Sequence, residues 1–332
     1  MLQIGLLGAG RIGNVHASVI NSHPGSQLVA VSDAFAENAE KLSAQYNVQA
    51  RSTSQIIDDP AIDAVLIATS TDTHSDLIEQ ATAAGKAVLC EKPIDLSLQR
   101  AKACRDLVAK NGQPVMLGFN RRFDPTFRTL KASLDNGEIG KPELLTVTSH
   151  DPAPPPVSYV KVSGGLFRDM MIHDFDMANF IMGDLPESIV TVASCQVDPE
   201  IGAAGDVDTA VVSMTYADGR IAVIKNSRRA VYGYDQRVEV LGSEGLLQAE
   251  NHTENRVVKS TQSGIVSAKP TYFFLERYMP AYAAEWAAFA DALSAGSAMP
   301  LTIDDGVAAL AMAEAASLSA KSGQPQKLAG LL

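Results

Sequence analysis

Gly5-Leu6-Leu7-Gly8-Ala9-Gly10-Arg11-Ile12-Gly13 is the stretch that decides the fold of this chain. The apolar run Gln3–Leu7 enters it, and a segment with apolar positions at helical spacing, residues 11–22, leaves it. G-x-G-x-x-G between a strand and a helix is a turn that cradles phosphate. Gly8 permits the tight turn, Gly10 lets a pyrophosphate approach the backbone, and Gly13 lets the helix lie close on the sheet. The helix N-terminus adds N–H donors and partial positive charge. Residues 2–33 therefore read as a dinucleotide-binding βαβ unit, with Gly8, Ala9, Gly10, Arg11, Ile12 and Gly13 as the cofactor turn.

Asp33 ends the second strand, 25 residues after Gly8. A carboxylate at that point accepts both ribose hydroxyls of adenosine and repels a 2′-phosphate. The following Ala34-Phe35-Ala36 offers no cation to bind that phosphate. The expected cofactor is NAD rather than NADP.

Outward from this unit, short apolar runs alternate with helical periodicity as far as Phe119. The strands are expected at Gln3–Leu7, Leu28–Ser32, Ala64–Ala68, Ala87–Cys90 and Val115–Gly118, with helices near 11–22, 35–46, 74–84 and 97–111. Strands apolar throughout, separated by amphipathic helices, imply a parallel sheet covered on both faces. The class is α/β, with an N-terminal doubly wound domain over residues 1–118.

The pattern then changes. A helix is expected near 124–135, a strand at 144–149, the proline-rich loop Asp151–Pro156, and a helix from Leu166 to Met182 that ends at Gly183. From Ile189 to Lys259, alternating β-branched runs joined by glycine turns read as an antiparallel meander. Two alanine-rich helices, about 280–294 and 304–320, close the chain. Residues 119–332 are thus expected to form a second α/β domain.

The 332 residues suit two domains at about 100–200 residues each. A net charge of −11 argues against nucleic acid, whose phosphates call for stripes of Lys and Arg. Cys90, Cys104 and Cys195 are scattered, without the spacing of a disulfide framework or a zinc site, so no metal is expected. The first strand begins at Leu2, which leaves no room for a leader, and no apolar run reaches the roughly 18 residues of a membrane span. The expectation is a cytoplasmic protein that does not bind membranes.

Two further regions carry chemistry. Thr69-Ser70-Thr71-Asp72-Thr73-His74 follows the strand Ala64–Ala68 at the ligand edge of the sheet. Thr69, Ser70, Thr71, Thr73 and His74 can line the nicotinamide half of the cofactor while also capping a helix. Glu91-Lys92-Pro93 follows the strand Ala87–Cys90 at the same edge, where a lysine points towards a ligand. A solvated surface charge is the competing reading. Asp169 and His173, at i and i+4 on the expected helix, would share a face, so that the carboxylate could orient the imidazole as it takes a proton; a surface ion pair is the competing reading. Gly164-Gly165 just upstream implies a close backbone approach.

GLLGAGRIG, EKP, GFNRRFDP and GGLFRDMMIHDFD, in this order and spacing, resemble the glucose–fructose oxidoreductase/inositol dehydrogenase family, nearly end to end. Residues 226–245 and 274–293 are similar to its inositol-oxidising branch. The resemblance implies NAD-dependent oxidation of myo-inositol to 2-keto-myo-inositol. It implies Lys92 as electrostatic stabiliser, His173 as general acid/base and Asp169 as its partner and a hydroxyl ligand. It also implies polyol contacts from one of Arg121 and Arg122, from His150, and from one of Tyr232 and Tyr234. Glu91 and Lys92 would also border the cofactor. The second domain would carry an open, largely antiparallel sheet that forms a homotetramer interface. Another inositol isomer or a pyranose sugar as substrate, an NAD-dependent glycosidase, and a non-catalytic NAD-binding sensor are the rival readings. The proline cluster 152–156 leaves the stereochemical preference open.

Overall fold

The computed structural model describes residues 1–332, and its contacts divide the chain into two compact units. One comprises residues 1–123 and 279–310, the other residues 124–278 and 311–332. The two closing helices therefore contribute to both units.

In the first unit, β1 (Leu2–Leu7), α1 (Arg11–Ser22) and β2 (Ser26–Ser32) form the βαβ unit read from the fingerprint. They are followed by α2 (Ala36–Tyr46), β3 (Gln49–Ala50), α3 (Thr53–Ile57), β4 (Ala64–Ile67), α4 (His74–Ala83), β5 (Ala87–Glu91), α5 (Leu98–Asn111) and β6 (Val115–Gly118). The six strands are parallel in the order β3-β2-β1-β4-β5-β6. This is the doubly wound order, which reverses direction between β1 and β4 and opens a ligand crevice beyond their C-terminal ends. β4, β5 and β6 are buried at every position, as strands covered on both faces must be. The short pair β3 and α3 was not legible as periodicity, because it is too brief to show any. Trp286 joins this core through an Nε1–H bond to Ser26 Oγ at 2.8 Å.

The second unit begins with α6 (Pro125–Asp135), capped by Asp124, and β7 (Pro142–His150). After the proline loop come α7 (Val157–Ser163), a wide π-helical turn at Leu166–Met170 and α8 (Ile172–Met182). Then follow β8 (Ser188–Ser194), α9 (Pro199–Ala203), β9 (Thr209–Thr215), β10 (Ile221–Ser227), β11 (Asp235–Gly242), β12 (Gly245–Ala249), and the hairpin β13 (Val258–Thr261) and β14 (Gly264–Ser267). The chain closes with α10 (Phe274–Ala295), α11 (Ile303–Ser322) and β15 (Gln326–Lys327). The large sheet runs β12-β11-β7-β10-β9-β8-β15. All its pairings are antiparallel except β7 with β10. The expected meander thus opens between β10 and β11, because β7 inserts between them.

Two expectations change here. The single helix Leu166–Met182 is instead a π turn followed by α8, with the Met171 N–H bonded five residues back to Leu166 O at 2.9 Å. The run through Lys259 does not stay in the sheet, since β13 and β14 form a separate exposed hairpin.

Candidate functional site

In the first unit, the glycine turn leaves β1 and enters α1 with Gly10 as N-cap and no side chain bonded to the helix end. Gly8 takes φ +103°, and a Cβ on Gly13 would stand 2.0 Å from Gly8 O, so both positions require glycine. A Cβ on Gly10 would meet nothing within 4 Å, which leaves the space before the helix end open. Asp33 lies directly beyond β2. One carboxylate oxygen accepts the Ala9 N–H at 2.7 Å and the other the Phe35 N–H at 2.8 Å. The carboxylate is thereby locked beside the turn with lone pairs to spare, which is what a ribose ligand needs. An uncapped helix end, an open cradle and a fixed carboxylate that no cation follows in the sequence fit NAD.

At the end of β4, the Thr69 and Thr73 hydroxyls lie 2.7 Å apart, and Thr73 donates to Ser70 O. Thr71, Asp72 and Thr73 form one 3₁₀ turn. His74 is buried, with Nδ1 2.7 Å from Pro93 O and Nε2 3.2 Å from Thr69 O. Burial holds its pKa below the ordinary histidine value, against the pull of those carbonyls. The ring thus ties the threonine turn to the loop that carries Lys92. Lys92 itself is half-buried, and Glu91, the last residue of β5, meets His16 of α1 at 2.7 Å. Of the arginine pair, Arg122 bonds Asp305 at 2.9 Å, while Arg121 is the more buried of the two.

In the second unit, β7 and β10 end together, with His150 paired to Ser227, and β11 begins there with Asp235 opposite His150. Arg228, 2% exposed, follows β10 at this edge. It donates to Asp169 Oδ2 at 3.3 Å and has Asp151 at 3.9 Å. Tyr159 of α7 donates to the other oxygen, Asp169 Oδ1, at 2.9 Å. Asn226, two residues before Arg228, donates to Asp174 at 2.8 Å. The segment that carries His173 is therefore pinned on both sides to the end of β10. Gly164-Gly165 did announce a close approach, but the partner is internal. A Cβ on Gly165 would stand 2.5 Å from Asp206 Oδ1, and Asp206 accepts the Leu166 N–H with both oxygens, capping the π turn.

The structure separates the two tyrosines. The Tyr232 hydroxyl donates to Asp235 at 2.6 Å and lies 3.4 Å from His150 Nδ1. The Tyr234 ring is buried edge-on to Tyr278, 6.1 Å between centroids. Burial and the Asp235 bond push the Tyr232 phenol up to about 12, so it stays a hydrogen-bond donor at neutral pH. Burial would raise the Asp235 carboxyl, but its bonds from Arg237, Tyr232 and Asn251 hold it below the usual range. Burial lowers the pKa of His150 despite Asp235 beside it.

Tyr159, Arg228 and His16 escaped the sequence reading. Arg228 could have been suspected as a charge closing a buried strand, and His16 because it falls within the apolar stripe of α1. Tyr159 carries no such signal.

Residues 2–119 match the model described as "Oxidoreductase family, NAD-binding Rossmann fold", and residues 127–248 match the "GFO/IDH/MocA C-terminal domain". An inositol 2-dehydrogenase of Rhizobium meliloti is 48% identical over 95% of this chain and 96% of its own length. A myo-inositol dehydrogenase from Corynebacterium glutamicum superposes with a TM-score of 0.95 at 41% identity, covering 99% of each chain. A myo-inositol dehydrogenase from Lactobacillus casei, solved with NAD(H) and myo-inositol, gives a TM-score of 0.88 at 25% identity, over 98% of this chain and 96% of that one.

Proposed function

This chain belongs to the GFO/IDH/MocA family of oxidoreductases, and we propose that it oxidises myo-inositol at C2 to 2-keto-myo-inositol with NAD. NAD, when bound, supplies the hydride acceptor. The glycine turn and α1 would hold its pyrophosphate, Asp33 its adenosine ribose, and Thr69, Ser70, Thr71 and Thr73 its nicotinamide half. His74 backs that turn from beneath.

Loss of hydride from a secondary alcohol needs a base for the hydroxyl proton and a cation for the charge that develops on its oxygen. His173 takes the proton. Asp169, fixed by Tyr159 and Arg228, supports the imidazolium that results and accepts a substrate hydroxyl. Lys92 stabilises the developing alkoxide. His150, Tyr232 and Arg121 hydrogen-bond further hydroxyls, and Arg122 stays with Asp305. Such a site rejects analogues that lack hydroxyls, because its own polar groups are then left unpaired.

The observation that carries this reading is the Asp169 carboxylate, held from both sides four residues before His173. A sensor has no need of a carboxylate fixed so firmly. NADH absorbance followed over a panel of myo-, scyllo- and chiro-inositol, glucose, galactose and xylose tests it. Turnover should be greatest with myo-inositol, and absence of turnover with every inositol would sink the assignment.

We also propose a homotetramer acting in the cytoplasm. The outer face of the large sheet carries exposed Val190, Val192, Val211, Ile221, Leu241 and Leu246. Its register sets Val192 beside Val211, and Leu144 between Ile221 and Leu241. Apolar side chains gathered in two groups on one exposed face, with polar residues such as Ser213 and Lys225 between them, support an interface. The three cysteines are free thiols, which suits a reducing compartment. No helix is long and apolar enough to cross a membrane.

A further inference from the structure

We propose that His16 is a positioning residue for Lys92, acting through Glu91; this rests on Lys92 acting in turnover as proposed above. His16 is the sixth residue of α1, fully buried between Val15 and Val19, and edge-on to Tyr282 at 5.5 Å. Its Nε2 donates to Glu91 Oε1 at 2.7 Å, and its Nδ1 meets no hydrogen-bond partner. Glu91 is thus the ring's single hydrogen-bond partner. The carboxylate is turned inward at the end of β5, against Gly118 of the adjacent strand. A Cβ on Gly118 would stand 3.1 Å from Glu91 Oε2, so the glycine leaves it room.

Burying a carboxylate and an imidazole where two hydrocarbon side chains would fit is costly unless the pair does more than fill space. What this pair joins is informative. One end is the helix whose N-terminus forms the cofactor turn, and the other is the residue bonded directly to Lys92. The strand that leads into α1, β1, and the strand that ends at Glu91, β5, are not neighbours in the sheet, since β4 lies between them, so the bond links parts of the fold that no ladder joins directly. The Glu91–Lys92 peptide is therefore fixed relative to the glycine turn. A displacement of about 1 Å in a group that stabilises a transition state costs on the order of 10²-fold in rate. His16 touches neither reacting atoms nor cofactor. It fixes where the Lys92 ammonium starts from.

The test compares His16→Leu with His16→Gln in the full chain. It reads kcat on myo-inositol, the kinetic isotope effect with substrate deuterated at C2, and the NAD Kd by titration calorimetry. His16→Leu should lower kcat about tenfold or more and raise the isotope effect, with the NAD Kd within about threefold of the parent. His16→Gln, whose amide N–H can donate to Glu91, should restore kcat to within about threefold. Equal losses in the two variants, an unchanged kcat in His16→Leu, or an NAD Kd that rises in step with the loss would each overturn the proposal. If His16→Leu does not melt cooperatively, His16→Asn takes its place, because its shorter amide cannot span the same gap. Lys92→Met, run alongside, keeps the two readings apart. Parent turnover that Lys92→Met impairs and His16→Leu spares defeats only the positioning role. Full activity in Lys92→Met defeats the reading it rests on.

Discussion

Asp169 has its two oxygens divided between Tyr159 and Arg228, and this division governs what each substitution should do. His173→Ala removes the base and should lower kcat by about 10² or more, the usual range for general acid–base catalysis. Tyr159→Phe leaves the base but frees one oxygen of its partner. A hydrogen bond to a charged group contributes about 1.5–3 kcal/mol, so kcat should fall by roughly 10- to 150-fold. Steady-state kinetics on both variants check this, and an unimpaired His173→Ala would remove His173 from proton transfer. Lys92, Asp169 and His173 could be singled out from sequence because each stands beside a strong local marker, the end of a buried strand or a helical spacing. Tyr159 could not, because its role depends on α7 folding back over the π turn, ten residues before the carboxylate it serves. Arg121 and Arg122 are inseparable in the sequence for the same reason: the Asp305 that bonds Arg122 lies 183 positions away.

Among the elements, the doubly wound sheet was the most legible, because strands buried on both faces and helices with a regular stripe leave long, repeated patterns. The second sheet was legible as strands but not as an order. The parallel pairing of β7 with β10 joins residues more than seventy positions apart, and no local signal encodes it. The π turn was read as plain helix, since its apolar spacing differs little from that of an α-helix. Its cause is the positive φ of Gly165 and the Asp206 carboxylate that caps it. The loops at the ends of β4 and β5 are joined by His74, and this junction makes a prediction of its own. Burial lowers the His74 pKa below 6.5 in the folded chain, so the unfolded chain binds the proton more readily. Stability then rises with pH: the contribution is full above about pH 6.5 and is lost as pH falls through it. His150 and His252, also lowered by burial, act in the same sense. Chemical denaturation at about pH 7 and pH 5 should show a smaller loss in His74→Gln than in the parent. An equal loss would show that His74 does not contribute to the acid sensitivity.

At the scale of the whole molecule, the exposed valines and leucines of the large sheet predict association. Light scattering should give the mass of four chains, and Val192→Asp with Val211→Asp, at a facing pair of β8 and β9, should lower it. A parent mass of one chain would contradict the tetramer while leaving the chemistry untouched. The chemistry is the central claim, and it joins a cofactor turn, a lysine and a carboxylate–imidazole pair in one reaction. The most direct test is to incubate the protein with NAD and myo-inositol deuterated at C2, then weigh the nicotinamide product. The account predicts NADH one mass unit heavier, formed in step with 2-keto-myo-inositol. Unlabelled NADH, or labelled sugar recovered with no NADH at all, would contradict it.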